Sequence, residues 1–389
     1  MLKDEGASPR GRITLIQTLS ENKLRPSKRA KKLVSQCLLC TACVSVCPNN
    51  VRTDLLILYA RERLREQPGS RIIDAVLDKV VFSRTAVSFR LASAVEHAVG
   101  RRLASGSGTF YRVPGSRTVP EIKGSSFSGS ADNAYRQKTN TGLFLGCLID
   151  FVNHDVAADA VKLLEASGKR PYLPVGQACC GLPAFSAGDT KKAARQATAA
   201  MAPFDDTDTI VTACGSCGSM MKNYYPLLFD SPADKARAEA FSKKIKDISE
   251  VIDPGTIERA EGVGGTITYH DPCHLKRGMS VSEKPRDLIR KAGYTILEME
   301  RSDRCCGLGG AFNIKHRRIS SVITGDKVKD IKSTGATIVA TGCPGCMANI
   351  GSMIAEDGAD IRVVHTVSLL LHAGKARSTI VSQPEKNVF

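Results

Sequence analysis

Ten of the fourteen cysteines in this 389-residue chain form a pattern that occurs twice. The first copy comprises Cys147, Cys179, Cys180, Cys214 and Cys217, and the second comprises Cys273, Cys305, Cys306, Cys343 and Cys346. The copies lie 126 to 129 residues apart, and both contain the sequence Cys-Cys-Gly-Leu, at 179–182 and at 305–308. This repetition predicts one structural unit built twice.

The order of apolar runs within each copy predicts strands that alternate with helices. Strand-like runs occupy 142–145 and 266–269, helical patterns follow at 156–164 and 288–292, and β-branched runs at 209–212 and 337–341 precede the last two cysteines. Such alternation is typical of an α/β layer structure. Cysteines then fall at strand ends and helix starts, where backbone N–H groups and the helix dipole stabilise thiolates.

The remaining cysteines, Cys37, Cys40, Cys43 and Cys47, follow the spacing C-x2-C-x2-C-x3-C and precede Pro48. This is the bacterial ferredoxin run, which binds a cubane [4Fe–4S] cluster. A structural zinc site is the alternative, but it normally takes two C-x2-C pairs that a loop separates. Cys47 either completes this cluster or, as in two-cluster ferredoxins, serves a second one.

Each repeated set offers five thiols, whereas a zinc ion or an ordinary cubane needs four. Adjacent cysteines such as Cys179 and Cys180 point in different directions, which suits a cluster of several irons better than one ion. Each set has an odd number of cysteines, so pairing them in disulfides would leave one unpaired in each set, and this disfavours disulfides. Zinc and unligated core cysteines remain as alternatives.

Composition limits the class of protein. The apolar content of 42% is that of a folded chain, and the longest apolar runs fall far short of the roughly 20 residues of a spanning helix. Met1 is followed by charged residues, so we expect no signal peptide and a cytoplasmic protein, with at most peripheral association with the inner face of a membrane. The net charge of +16 permits an acidic partner, but few aromatics disfavour nucleic acid.

The sequence also predicts how the chain is divided. A helix is expected over 9–20, and another is expected to start at a Thr53 cap and run to Leu64. The basic run at 23–32 is interpreted as a solvated helix face, with a docking patch as the alternative. Gly, Ser and Pro residues favour a linker or surface loop near 105–130. The predicted divisions are a helical domain at 1–103, a linker at 104–138, and repeats at 139–260 and 261–389.

The complete pattern resembles the CCG-domain (cysteine-rich) iron–sulfur oxidoreductases. These include the iron–sulfur subunits of glycolate oxidase and D-lactate dehydrogenase, and the cysteine-rich subunits of anaerobic glycerol-3-phosphate dehydrogenase and of heterodisulfide reductase. The strongest likeness is to the glycolate oxidase and lactate dehydrogenase type. The segments that carry it are 8–12 (SPRGR), 179–183 (CCGLP), 270–274 (HDPCH), 305–307 (CCG) and 341–346 (TGCPGC).

The resemblance implies an α-helical ferredoxin-like N-terminal domain followed by two tandem α/β CCG repeats. It implies that each five-cysteine set binds one cluster, and that these clusters are noncubane [4Fe–4S] as in heterodisulfide reductase. It further implies an electron-transfer subunit of a 2-hydroxy-acid dehydrogenase, with an FAD-containing partner and a quinone or another carrier as acceptor. A catalytic disulfide reductase and the iron–sulfur subunit of a glycerol-3-phosphate dehydrogenase are the alternatives.

Relatives of the glycolate oxidase type carry another ferredoxin run before the SPRGR segment. Here Met1 lies seven residues before Ser8, so we expect that the chain starts late, through a misassigned start codon or a truncated gene.

Several single residues remain to be placed. His270 and His274 flank Cys273, and a structural role is favoured over ligation or proton transfer. Asp271 and Pro272 are expected to form the turn that positions Cys273. Gly181 and Gly307 are expected to allow close approach to a cluster, and Lys276 and Arg277 either offset cluster charge or lie on the surface.

The sequence lacks a complete nucleotide-binding pattern. Gly307, Gly309 and Gly310 come near G-x-G-x-x-G, but Phe312 stands where the last glycine belongs, and a Walker A loop is also missing. We therefore expect no FAD or NAD on this chain.

Overall fold

The computed structural model describes residues 4–65, 86–105, 108–112, 118–259, 265–310 and 312–373. Its N-terminal part is helical, with α-helices at Pro9–Ser20, Lys28–Ser35, Ala42–Ser45, Thr53–Arg65 and Ala86–Val99 and a 3-10 turn at Glu5–Ala7. The predicted helix at 9–20 is confirmed; Ser8 caps it by accepting a hydrogen bond from the N–H of Gly11. Thr53 is the first residue of its helix and not the cap. None of the described helices is long and apolar enough to cross a membrane.

A small antiparallel sheet follows these helices. It contains β1 (Arg101–Ser105), β2 (Gly108–Arg112) and β3 (Thr118–Pro120). The N–H of Thr118 donates to Oε1 of Glu356 at 3.1 Å, so the sheet contacts the second repeat. The described parts of 104–138 therefore contain strands, as well as the helix Phe127–Ser130 and the 3-10 turn Asn133–Arg136, where the sequence predicts a linker or loop. The domain divisions themselves stay a prediction.

The first repeat is built on a three-stranded parallel sheet in the order β4 (Thr141–Phe144), β5 (Thr209–Thr212), β6 (Ile245–Asp247). Its α-helices are Gly146–Phe151, His154–Ala166, Leu182–Ser186, Thr190–Met201, Gly215–Asn223 and Pro232–Lys243. Its 3-10 turns are Ala202–Phe204, Tyr225–Leu228, Ile248–Glu250 and Pro254–Thr256. The strands predicted at 142–145 and 209–212 and the helix predicted at 156–164 are confirmed.

The second repeat contains a four-stranded parallel sheet in the order β10, β9, β7, β8. The strands are β7 (Thr266–His270), β8 (Thr295–Ile296), β9 (Ile338–Thr341) and β10 (Arg362–His365). Its α-helices are Glu283–Lys291, Phe312–Lys315, Arg317–Lys332, Pro344–Asp357 and Thr366–Leu371, and a π-helix spans His274–Gly278. The predicted strands at 266–269 and 337–341 and the helix at 288–292 are confirmed within a few residues.

Strand register shows that the two repeats are equivalent. Phe144 at the end of β4 pairs with Thr212, and His270 at the end of β7 pairs with Thr341. A single bridge from Gly142 to Tyr172 stands where β7 pairs with β8. The strands are apolar and buried, as parallel strands covered by helices require. Both repeats therefore present their cysteines at the same place, beyond the carboxyl ends of the strands.

Candidate metal centres

The first and middle strands of each repeat position three of its five cysteines. Cys147 and Cys273 each follow the first strand by three residues. Cys214 and Cys343 are the N-caps of the helices that follow the middle strands, and Cys217 and Cys346 lie in their first turns. The N–H of Cys217 donates to Sγ of Cys214 at 3.4 Å. Helix N-termini thus present N–H groups to sulfur, which favours negative charge there.

Each Cys-Cys pair lies in a loop and is followed by a glycine with positive φ. Gly181 and Gly307 adopt φ of +85° and +92°, a left-handed conformation that glycine tolerates best. A Cβ on Gly307 would lie 2.8 Å from Oγ1 of Thr324, so the loop packs directly on the helix Arg317–Lys332. The N–H of Gly307 donates to Sγ of Cys305 at 3.4 Å. The structure shows the close packing of the Gly307 loop on a helix, and the approach of these glycines to a cluster stays a prediction.

Nine of the ten repeated cysteines form a series in which neighbouring thiols lie close enough to act on each other's pKa. Their order is Cys179, Cys180, Cys217, Cys214, Cys343, Cys346, Cys306, Cys305 and Cys273. Cys147 lies close enough to Cys180 for its negative charge to act on the pKa of that thiol. The structure therefore brings together both predicted sets, and it joins them at Cys214 and Cys343.

The crowding of these thiols tests whether a metal fits. Hydrogen bonds to Cys180 and Cys214, together with burial, hold the pKa of Cys217 well above its usual value. Cys306 and Cys343 do the same to the pKa of Cys346. So many buried sulfurs cannot all become thiolates unless a positive group compensates them. Soft thiolate ligands at this density select iron–sulfur clusters or zinc, so the donor set fits an iron–sulfur group.

The first part of the ferredoxin run, before the helix Ala42–Ser45, has an irregular backbone. Leu39 and Thr41 have positive φ, of 53° and 57°, and the N–H of Leu39 donates to Sγ of Cys37 at 3.4 Å. All four cysteines, Cys37, Cys40, Cys43 and Cys47, are half-buried. Burial, followed by the negative charge of Cys305, raises the pKa of Cys40 to about 12. Cys40 therefore lies beside the second repeated set.

Two side chains of the second repeat hold this loop. Nε2 of His274 lies 3.2 Å from the carbonyl oxygen of Leu39, and Nε of Arg277 donates to the carbonyl oxygen of Cys40 at 2.9 Å. The Arg277 side chain is only 10% exposed and pairs with Asp303 at 3.2 Å. Of the two roles the sequence leaves open for Arg277, the structure favours the one beside the cysteines.

Asp271 anchors the turn before Cys273. Its carboxylate accepts hydrogen bonds from both NH groups of Arg286, at 2.7 and 2.8 Å, and from Ser282 and Ser302 at 3.0 Å each. Burial raises the pKa of Asp271, but these bonds outweigh it and lower the pKa below its usual value. The ionised carboxylate fixes the short segment between β7 and Cys273, where the sequence predicts a turn and the structure has irregular backbone.

A buried lysine adds positive charge near the second set. Lys327 is fully buried, with Nζ 3.3 Å from Oδ2 of Asp330 and within hydrogen-bond distance of the carbonyl oxygens of Arg301 and Ser302. Burial lowers its pKa, and the negative charges of Asp330 and Cys306 act against this shift. Sequence analysis missed Lys327 because it lies on an ordinary basic helix, Arg317–Lys332.

His270 lies beside two cysteines of the second set, Cys306 and Cys346, that are distant from it along the chain. The side chain is fully buried, and a ring nitrogen lies within 4.8 Å of Sγ of both Cys306 and Cys346. Desolvation lowers the pKa of His270 to about 4, which keeps the ring neutral near pH 7. Aligning the two repeats distinguishes His270 in the sequence, because the equivalent position in the first repeat is Phe144.

Comparison with known proteins agrees with this geometry. The profile of the CCG cysteine-rich domain matches residues 141–222 and 267–351. A probable glycolate oxidase iron–sulfur subunit of Bacillus subtilis is 32% identical over 394 residues, which cover 95% of this chain and 88% of that protein. The chain belongs to the CCG cysteine-rich family. The two matched CCG segments contain all ten repeated cysteines.

Other similar proteins cover different parts of the chain. Lactate utilization protein A of Shouchella clausii is 34% identical over 239 residues, which cover 59% of this chain and 98% of that protein. A solved structure of a hypothetical protein from Helicobacter pylori superposes with a TM-score of 0.56 at 10% identity. It covers 93% of this chain, which spans 66% of that structure, and at this identity the likeness shows a shared fold alone.

Proposed function

We propose that this chain is the iron–sulfur electron-transfer subunit of a 2-hydroxy-acid dehydrogenase that acts on glycolate or lactate. An FAD-containing partner oxidises the acid, and this chain passes the electrons to a quinone or another carrier. The observation that carries the proposal is the series of neighbouring thiols from Cys179 to Cys273, with Cys40 near its end. The printed names of the relatives, an iron–sulfur subunit and a lactate utilization protein, support the substrate class.

Fourteen cysteines would hold the clusters. A cubane [4Fe–4S] cluster is assigned to Cys37, Cys40, Cys43 and Cys47. The first repeat contributes Cys147, Cys179, Cys180, Cys214 and Cys217, and the second contributes Cys273, Cys305, Cys306, Cys343 and Cys346. Five thiols in each repeat support noncubane [4Fe–4S] clusters there. When bound, such clusters accept and release single electrons.

The protein residues set the order and the charge of these sites. The proximity of Cys214 to Cys343 supports two repeated sites that lie side by side, and the proximity of Cys40 to Cys305 supports a ferredoxin-run site next to the second one. Arg277 and Lys327 bring positive charge to the thiolate groups, which lowers the cost of a net negative centre. Most of the repeated cysteines are buried, which keeps water from the sulfurs.

The domain divisions are part of the same proposal. We assign 1–103 to a ferredoxin-type helical domain, 104–138 to the connection, and 139–260 and 261–389 to the two CCG repeats. The helices on both sides of Cys37–Cys47 and the equivalent registers of the two sheets support this division.

The test is anaerobic purification with the candidate flavoprotein partner co-expressed, followed by iron and sulfide analysis and EPR. Three clusters require about twelve irons per chain. We expect cluster signals to appear after glycolate or lactate is added. Full iron loading without a response to either acid, together with reduction of a thiol–disulfide substrate from a reduced dye, would replace this function with disulfide reductase chemistry.

Matched variants locate the clusters. Cys40→Ser should remove about four irons and leave the repeated sites loaded, and Cys306→Ser should affect the second repeated site. Ser45→Ala, an exposed substitution in the same N-terminal loop region, should retain all iron. Equal iron content in Cys40→Ser and the parent would remove the ferredoxin run from the proposal.

A further inference from the structure

The two repeated sites differ at the residue that ends their first strand. Phe144 and His270 occupy equivalent positions, because Phe144 pairs with Thr212 and His270 pairs with Thr341 in the corresponding registers. Each residue lies three positions before the first cysteine of its set, Cys147 or Cys273. The second site therefore has an imidazole where the first has a phenyl ring.

The hydrogen bonding of His270 fixes which nitrogen carries the lone pair. Nδ1 lies 3.1 Å from the carbonyl oxygen of Ser302. A carbonyl oxygen only accepts, so Nδ1 carries the hydrogen and Nε2 carries the lone pair. Among the described residues, Nε2 has no hydrogen-bond partner although it is buried. An unpaired buried nitrogen is costly, so this atom requires a partner that the protein itself does not provide.

The cysteines around the ring of His270 indicate what binds to its unpaired nitrogen. A ring nitrogen of His270, Sγ of Cys306 and Sγ of Cys346 all lie within 4.8 Å of one another. This separation suits three ligands that share one metal ion. Metal-bound histidines usually donate their other N–H to a carbonyl or carboxylate, as Nδ1 does to Ser302 here.

We propose that Nε2 of His270 ligates an iron of the cluster in the second repeat, the iron that Cys306 and Cys346 also face. The inference rests on the proposed function in that it takes this site to hold an iron–sulfur cluster. It goes beyond that function by making the two repeated sites chemically unequal: the first has sulfur ligands, and the second has sulfur ligands and one neutral nitrogen.

This inequality has a direction. The imidazole of His270 is neutral and joins the five thiolates without replacing one, so it adds no negative charge to the second site. Lys327, whose Nζ shares the carbonyl oxygen of Ser302 with His270, adds positive charge at the same place. We therefore expect the second site to accept an electron more readily than the first.

The direct test is pulsed EPR of the complete, cluster-loaded chain with 15N-histidine incorporated. We expect a 15N hyperfine coupling from a directly bound imidazole in the reduced protein, which natural-abundance protein shows as 14N. The coupling should vanish in His270→Phe, which reproduces the first repeat, and persist in His97→Gln, an exposed histidine that pairs with Glu121. An unchanged coupling in His270→Phe, or none in the fully loaded parent, overturns the assignment.

A second variant covers the case in which His270→Phe loses its cluster. His270→Cys supplies a thiolate ligand, so it should keep the iron, lose the nitrogen coupling and shift the midpoint potential of one cluster to a more negative value. Full iron with an unshifted potential overturns the proposal. Iron and sulfide analysis of the parent separates the two hypotheses, because its failure to bind iron in the repeats would contradict the proposed function.

Discussion

Cys214 and Cys343 occupy the same position in the two repeats, and their thiols lie close enough to act on each other's pKa. The adjacent backbone joins as well, because the N–H of Gly215 donates to the carbonyl oxygen of Gly342 at 3.2 Å. The N-termini of two equivalent helices, Gly215–Asn223 and Pro344–Asp357, thus meet. The distance between the two candidate sites depends on how closely these helix ends approach.

The first prediction concerns Gly215, which permits this approach. A Cβ there would lie 2.7 Å from Cβ of Leu275 and 3.1 Å from its backbone nitrogen. Gly215→Ala should therefore lower the free energy of unfolding by about 2 kcal/mol through overpacking. Gly325→Ala is the control, since its Cβ would meet no atom within 4 Å and the residue lies within the helix Arg317–Lys332. That control should gain about 1 kcal/mol from helix propensity. Denaturant unfolding measures both, and equal stability of the two variants would contradict the packing argument.

The second prediction concerns the ion pair between Asp271 and Arg286, whose side chains are 1% and 6% exposed. Arg286→Met leaves the buried carboxylate with only the more distant Lys276, at 3.9 Å, as a charged neighbour, and we expect a loss of about 3 kcal/mol in the free energy of unfolding. Arg290→Met, on the same helix with an exposed partner, should change it by less than about 1 kcal/mol.

The sign of the pH dependence of this ion pair follows from the lowered pKa of Asp271. Its contribution is present above the unfolded pKa, near 4, and is lost as pH falls through the lower folded pKa. The penalty of Arg286→Met should therefore diminish in acid, because protonation neutralises the unpaired carboxyl. A penalty that stays constant between neutral and acid pH would be inconsistent with this mechanism.

The third prediction concerns Glu96, a buried carboxyl whose Oε2 accepts from the N–H of Ile122 at 2.9 Å. Burial raises its pKa to about 7, so the folded chain binds the proton more tightly than the unfolded chain. Stability should therefore fall as pH rises from about 4.5 to 7. Glu96→Gln removes the charge, and it should gain about 2 kcal/mol at pH 8 and nothing at pH 4. Thermal unfolding at both values tests this, with the exposed Glu239→Gln as the matched control.

The fourth prediction concerns Arg277, whose Nε donates to the carbonyl oxygen of Cys40. Its positive charge opposes the effect of burial on the pKa of the Cys40 thiol, and the same field should stabilise the reduced form of an anionic cluster there. Arg277→Gln should shift the midpoint potential of the ferredoxin-run cluster by about 50 mV to a more negative value. An EPR-monitored redox titration measures the shift. Arg237→Gln, which removes a surface arginine paired with Asp205, should leave the potential unchanged.

Local patterns were enough to predict the elements of the repeats. The strand Thr209–Thr212 and the helix Pro9–Ser20 match their predicted ranges, because β-branched runs, apolar spacing and an N-terminal proline all act within a few residues. Strands β1 to β3 escaped prediction, since glycine, serine and proline around them favour turns.

The contacts between candidate sites could not be predicted from the sequence. Three contacts join residues that are distant along the chain: Cys214 with Cys343, Cys40 with Cys305, and His270 with Cys306. They depend on how helices and sheets pack, which short-range patterns do not encode. Which cysteines carry clusters stays a prediction until iron is measured.

Three positions at and just beyond the ends of the first strands distinguish the repeats. His270, His274 and Arg277 correspond to Phe144, Leu148 and Phe151, and Phe151 stacks on Phe89 with ring centroids 4.4 Å apart. In a homodimer of one repeat, each substitution would occur in both halves at once. Joining the two copies in one polypeptide lets one half bind the N-terminal cysteine loop and the other an apolar helix. Duplication within a single chain therefore allows the two repeats to make different contacts.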